Sequence, residues 1–243
     1  MNMENKEYKY VKFLPWVGEY YKEGVGFLGK KILVLGDSHY CENECSENGR
    51  CYPKCEYEKM RIGVCDRMTN DLMIDEYFHS RKQGGAMARH LHTILNFEKN
   101  IFNYTPTLEE STNFWNSVIF YNYKQHSQPK PGEERNTSYE EKQEYRMAFE
   151  EILQEYKPKY IVVWSKTLFT KDWLPDGAKD VPDYTLTVEK DGNIYDAPVR
   201  TFITSDGTEI PAIITQHPCC RYGKGKYQPK WHALLKKFLE LDD

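Results

Sequence analysis

Four short apolar runs, each ending in polar residues, constrain the fold of this chain more than any other feature of its sequence. The runs lie at 31–40, 117–124, 160–166 and 211–218. Continuous apolar runs without alternation are typical of strands that are covered on both faces, and the gaps between these runs have room for crossover helices. The sequence therefore predicts a three-layer α/β/α sandwich with a central four-stranded parallel sheet.

Helical stretches and turn signals fill the gaps between the runs. We expect helices over roughly 66–79 and 85–97, from Ser138 to Tyr156 ahead of Pro158, and from about Pro229 onward. Between the third and fourth runs, two Asp-Gly turns are flanked by strand-like segments. This pattern predicts antiparallel hairpins at about 184–210, attached to the main sheet.

The composition is that of a folded soluble protein. Of the 243 residues, 40% are hydrophobic and 29% are charged, which excludes disorder as the main state. We expect a single domain over 1–243, a monomer. The net charge of -4 excludes a chain that is basic throughout, so any nucleic-acid site must be a local patch. Charged residues and glycines interrupt every apolar run in the first 30 residues, which predicts no membrane segment and a cytoplasmic location.

The residues that end the four runs are the first candidates for a functional site, because ligands bind outside the carboxyl ends of strands in open α/β sheets. The runs end, in order, in Gly36-Asp37-Ser38-His39-Tyr40, Asn122, Trp164-Ser165 and His217-Pro218. Any one of these alone is as readily a cap or a turn residue. Their common place at one sheet edge favours a binding or catalytic site.

Taken in order, these strand ends resemble the uracil-DNA glycosylase superfamily. In that family a first strand leads into a Gly-x-Asp-Pro-Tyr type loop, a second ends in an Asn that reads the base, a third carries Trp-Gly, and a fourth leads into His-Pro-Ser. The resemblance covers about residues 31–235. It implies the uracil-DNA glycosylase-like sandwich and a DNA glycosylase that hydrolyses the N-glycosidic bond of uracil or a damaged base.

The resemblance also implies roles for single residues. Asn122 would pair with the edge of an extruded pyrimidine, Tyr40 would stack against the base, and Gly36, Ser38 and His39 would complete the base-binding loop. His217 would donate a hydrogen bond to the carbonyl oxygen of the leaving base. Ser38 stands where several of these enzymes carry the water-activating Asp, and a serine cannot activate water in that way. The neighbouring Asp37 is the candidate catalytic carboxylate in its place, and the alternative is that it caps the following turn or helix. His39 replaces the Pro, and Cys219 replaces the Ser after His-Pro.

A local basic segment follows His217. Its cations and aromatic residue are those suited to phosphates and bases, namely Arg221, Tyr222, Lys224 and Lys226. The segment predicts a DNA partner, or another nucleobase-containing ligand, with Tyr222 as a wedge. The alternative is a solvated loop before a helix with a basic end.

Four cysteines are clustered directly after the first run. Cys41, Cys45, Cys51 and Cys55 fall within fifteen residues, inside a Cys-rich insertion at about 41–65. Four thiolates can hold one tetrahedral zinc ion, so the cluster predicts a structural zinc site, although the spacing is not the usual pair of C-x2-C motifs. Disulfides are the alternative if the protein is exported.

Two other function classes remain open. Gly36-Asp37-Ser38 after a strand is also similar to the first block of Gly-Asp-Ser-type esterases, with Ser38 as the nucleophile, although the later blocks of those enzymes are missing. The other class is non-enzymatic: the same fold would bind a nucleobase, a nucleotide or damaged DNA without cleaving it. The departures at Ser38 and His39 favour that alternative.

Overall fold

Each of the four apolar runs contains a strand, and helices lie between the first and second runs and between the second and third. The computed structural model describes residues 8–40, 76–84, 87–88, 91–125, 127–128, 137–165, 168, 184–218 and 229–241. The strands are β1 (Trp16–Val17), β2 (Ile32–Gly36), β3 (His39–Tyr40), β4 (Val118–Asn122), β5 (Ser127–Gln128), β6 (Tyr160–Val163), β7 (Tyr184–Lys190), β8 (Asn193–Ile203) and β9 (Glu209–Ile214). The helices are α1 (Glu19–Lys22), α2 (His79–Gln83), α3 (Leu91–Phe102), α4 (Leu108–Asn116), α5 (Tyr139–Tyr156) and α6 (Pro229–Leu239).

Seven of the strands form one sheet in the order β1-β4-β2-β6-β9-β8-β7. The four central strands pair in parallel, β4 with β2, β2 with β6 and β6 with β9. They are the four apolar runs of the sequence, placed second, first, third and fourth across the sheet. The parallel sheet of an α/β protein is thereby confirmed. The outer pairs β1–β4, β9–β8 and β8–β7 are antiparallel.

The central strands are buried because helices cover both faces of the sheet. Every residue of β2 and β4 is buried. Val34 belongs to one core cluster, with Phe97 of α3 and Leu234 of α6, whereas Leu33 belongs to a second cluster with Phe149 of α5. Successive side chains of a strand point to opposite faces, so the two clusters lie on the two sides of the sheet. Among the described residues the arrangement therefore has three layers.

The antiparallel additions at about 184–210 are confirmed. A two-residue turn at Asp191-Gly192 joins β7 to β8, with Lys190 opposite Asn193. Asp191 and Gly192 have φ of 52° and 73°, the left-handed pair that a type I′ hairpin turn requires. Strand β8 then pairs with β9, so one long strand serves both hairpins and joins them to the parallel sheet.

The helix predictions differ in how well their bounds agree with the structure. The predictions for α5 and α6 are confirmed. Helix α3 begins and ends several residues later than the predicted 85–97, and the predicted 66–79 lies mostly outside the described residues. Helix α4 was not predicted, although Thr107 and Glu110 form a capping box at its start. No helix among the described residues is long and apolar enough to span a membrane.

Removal of the N-cap of α5 is expected to destabilise the protein modestly. The Ser138 hydroxyl accepts a hydrogen bond from the Glu141 N–H (3.2 Å), and the Glu141 carboxylate accepts one from the Ser138 N–H (2.8 Å). Ser138→Ala should lower the free energy of unfolding by about 1 kcal/mol, whereas Ser138→Asn should keep most of it because Asn also caps helices. Urea denaturation measures both. Equal losses for the two variants would show that the cap is not what stabilises this helix end.

Candidate functional site

The carboxyl ends of β4, β2, β6 and β9 lie at one edge of the sheet, which we call the carboxyl edge. Hydrogen bonds continue the strand ladder into the loops beyond it. Lys124 N donates to Asp37 O (2.9 Å), Trp164 N to Leu35 O (2.9 Å) and Thr215 N to Val163 O (2.8 Å). The first residues after each strand are thus fixed by backbone contacts. The predicted strand-end residues therefore do share one edge.

Asp37, the first residue after β2, forms an ion pair with Lys124. Lys124 Nζ lies 3.2 Å from Asp37 Oδ1, and the two side chains are only 5% and 16% exposed, respectively. Sequence reasoning missed Lys124. The available signal was its position two residues after Asn122, directly beyond a strand whose partner strand leads into Asp37. The predicted catalytic carboxylate therefore has a buried cation beside it.

His217 lies within electrostatic reach of Asp37. Burial lowers the pKa of His217 below its ordinary value of 6.5, and the negative charge of Asp37 acts in the opposite direction. The net shift of the pKa is downward, which favours the neutral imidazole, with one N–H donor and one acceptor nitrogen. Its ring makes an edge contact with Trp164, at 6.3 Å between centroids. The structure thus brings the two predicted catalytic residues into one neighbourhood.

Asn122 ends β4 directly opposite Gly36 of β2. It is buried, and its side-chain oxygen Oδ1 would lie only 2.0 Å from a Cβ at position 36. Any side chain at residue 36 would displace the Asn122 amide. The glycine of the first motif therefore leaves the space that the amide occupies.

A second set of residues supports the loop that carries His217. The Asn96 amide of α3 donates to the carbonyl of Pro218 (3.0 Å). Trp164 packs against Phe97 and Phe120, with ring centroids 4.9 and 5.0 Å away. Its Nε1 is buried and has no hydrogen-bond partner among the described residues. Sequence reasoning missed Asn96, which reads as one polar residue of an amphipathic helix.

Of the other predicted site residues, some belong to the described part of the chain and the rest lie outside it. Ser38 follows Asp37 and is partly buried. The backbone of His39 and Tyr40 forms β3, which pairs in parallel with β5. The predicted nucleic-acid residues Arg221, Tyr222, Lys224 and Lys226, and the predicted metal ligands Cys41, Cys45, Cys51 and Cys55, lie outside the described residues.

In the part of the chain that the structure describes, no group of three or more His, Cys, Asp or Glu residues is placed to hold a metal ion. The four clustered cysteines are outside that part, so the zinc site stays a prediction from the sequence. What the carboxyl edge does assemble is the Asp37 carboxylate, the Lys124 ammonium group, the His217 imidazole and the Asn122 amide. These groups suffice for acid–base chemistry and for recognition of a polar ring edge.

The class of protein that this fold and edge define is an α/β protein with a candidate site at the carboxyl ends of parallel strands. The chain matches no protein-family model, and no curated protein matches it.

Proposed function

We propose that this protein recognises a nucleobase on DNA and hydrolyses its N-glycosidic bond, as a divergent protein similar to the uracil-DNA glycosylase superfamily. One observation carries the proposal: Asp37, Asn122 and His217 lie at the carboxyl ends of parallel strands on one edge of the sheet, and the half-buried His217 is within electrostatic reach of Asp37. The four motifs occur in the family's order and end four adjacent parallel strands. That combination supports a glycosylase-like sandwich.

Each group has a defined part in the proposed reaction. The Asn122 amide carries both a donor and an acceptor and so pairs with the edge of an extruded pyrimidine. The lowered pKa of His217 favours its neutral form, whose N–H donates to the carbonyl oxygen of the base as negative charge develops there. Asp37 takes the proton of the attacking water, or stabilises the cationic sugar. Ser38 lines the loop and has no part in the proton transfer.

The proposal also assigns parts to residues known only from the sequence. Arg221, Lys224 and Lys226 would hold the phosphates, and Tyr222 would fill the space left by the extruded base. Zinc bound by the four clustered cysteines would stabilise the insertion and take no part in the chemistry.

A second candidate is a binding protein that recognises the same base without releasing it. Ser38 and His39, which replace the Asp and Pro of the resembling motif, favour this candidate, because a serine cannot activate water as a carboxylate does. The esterase alternative would need Ser38 bonded to a histidine as its base. The sequence lacks the later blocks of those enzymes, so we do not propose an esterase.

A base-release assay with a His217 variant tests the proposal. Pure protein is incubated with single- and double-stranded oligonucleotides that contain uracil, hypoxanthine, xanthine or a mismatch, and binding is recorded on the same samples. We expect release by the wild type, a loss of about 10²–10³-fold in rate for His217→Ala, and retained binding. His79→Ala, at an exposed histidine, is the control and should leave release unchanged.

The outcomes separate the candidates. Tight binding by the wild type without release of the base would overturn hydrolysis and favour the second candidate, a binding protein. Release that His217→Ala leaves at the wild-type rate would overturn the role of His217. The absence of both release and binding would overturn nucleobase recognition itself.

A further inference from the structure

Among the described residues of the carboxyl edge, Lys124 is a charged group for which the proposed reaction has no part. Its backbone N–H donates to the Asp37 carbonyl (2.9 Å), next to the bond from Tyr123 N to Gly36 O (3.1 Å). Its side chain turns to the same residue, with Nζ 3.2 Å from Asp37 Oδ1. Lys124 therefore engages Asp37 through both backbone and side chain.

Burial makes this pair unlike a surface salt bridge. Both side chains are largely removed from water, and a buried ammonium is costly unless an anion lies beside it. The Lys12–Glu144 pair has the same 3.2 Å separation, but its side chains are 36% and 46% exposed. Exposed pairs of that kind have little effect on structure or stability.

The two oxygens of Asp37 differ in their surroundings. Oδ1 faces Lys124, is buried, and has no aligned hydrogen-bond donor among the described residues. The side chain as a whole keeps 16% exposure, which must therefore come from its other atoms. Oδ2 is the polar atom among them.

We propose that Lys124 is a positioning residue, whose buried ammonium holds Asp37 by Oδ1 so that Oδ2 is the oxygen that meets water or ligand near His217. The effect of Lys124 on catalysis rests on the proposed function, whereas its effect on the position of Asp37 does not. Lys124 acts through Asp37 and is not itself assigned contact with the substrate.

The first test measures the geometry without any activity. The titration of the His217 ring protons is followed by NMR in the wild type, Asp37→Asn, Lys124→Met and the double variant, with His217→Gln to assign the signals. Loss of the Asp37 charge should lower the pKa of His217 in the wild-type background. In the Lys124→Met background, Asp37→Asn should lower the pKa of His217 by less than about half of the change seen in the wild-type background, because the carboxylate is no longer held in place.

This cycle cancels the direct effect of the Lys124 charge on His217, which is present in both of the compared differences. The Lys12→Met background should give the full shift. Equal shifts in the Lys124→Met and wild-type backgrounds would overturn the positioning role, whatever the protein does to DNA. If Lys124→Met fails to fold, Lys124→Gln serves in its place, because it also removes the charge: the same reduced shift is expected, and a shift equal to that of the wild-type background would count against the proposal.

The second test measures the catalytic consequence. Lys124→Met should lower kcat for base release by about 10-fold or more and leave KM within about 3-fold, because positioning matters to the reaction rather than to binding. Lys124→Arg should recover most of kcat. A wild type that releases no base overturns the proposed function alone, whereas unchanged kcat in Lys124→Met overturns the catalytic part of this inference.

Discussion

Asp37→Asn should slow base release by about 10²–10⁴-fold, the usual contribution of a positioned general base. The amide keeps the size of the side chain but cannot accept a proton. Binding of a base-containing oligonucleotide should change little, because Asn122 and the basic segment, not Asp37, are assigned to binding. Single-turnover base release together with a binding titration measures both quantities.

The matched control is Asp191→Asn. It makes the same chemical change in an exposed hairpin turn, where Asp191 has a left-handed φ of 52° that Asn also tolerates. Base release by this variant should equal that of the wild type. An unchanged rate in Asp37→Asn would contradict the catalytic role of Asp37, and a large loss of binding would assign it to recognition instead.

The parallel sheet was predictable because its signal is local. Each of the four central strands contains a continuous apolar run. Such a run predicts a strand that is buried on both faces even when its neighbouring strands are not known. The Asp-Gly turn at Asp191 and Gly192 is equally local, since the backbone angles that it needs are those these residues favour. The placement of Asp37, Asn122 and His217 at one edge followed from the parallel direction of the strands.

Contacts between distant segments were not predictable in the same way. Lys124 pairs with a residue 87 positions earlier in the sequence (124 − 37), and its place just beyond a strand does not by itself distinguish it from a solvated lysine. Asn96 reaches the carbonyl of Pro218, which is 122 residues away along the chain. The two-residue strand β1 is too short to show a hydrophobic pattern. In the structure it pairs with β4 and forms one edge of the sheet.

Glu98 is a buried charged residue whose burial the sequence pattern does not indicate. It lies between Phe97 and Lys99 in an amphipathic helix, where an acidic residue reads as part of the solvated face. In the structure it is fully buried. Its surroundings decide what happens when it is removed.

The Glu98 carboxylate joins three helical segments. It accepts hydrogen bonds from the Tyr77 hydroxyl, the Ser111 hydroxyl (2.8 Å), the Trp115 indole N–H (2.8 Å) and the Arg81 guanidinium (3.3 Å). Burial raises the pKa of Glu98, and these donors oppose that rise. Arg81 also donates to the carbonyl of Pro106 (2.7 Å), which ties the start of α4 to the same cluster.

Glu98→Ala should lower the free energy of unfolding by about 3–5 kcal/mol, the usual cost of removing one partner from a buried ion pair. The variant leaves the largely buried Arg81 without its anion and three neutral donors without an acceptor. A loss of this size is a large fraction of the stability of an ordinary domain, about 5–15 kcal/mol. Urea denaturation followed by tryptophan fluorescence measures it.

Glu144→Ala is the control, because it removes the same side chain from the exposed pair with Lys12 and should cost no more than about 0.5 kcal/mol. Equal losses in the two variants would contradict the view that the Glu98 cluster holds the helices together.

The cluster also bears on the site, since α3 carries Asn96 two residues before Glu98 and Asn96 supports the loop of His217. Where Glu98→Ala remains folded, the His217 ring signals should therefore shift, while those of Glu144→Ala should stay at their wild-type positions.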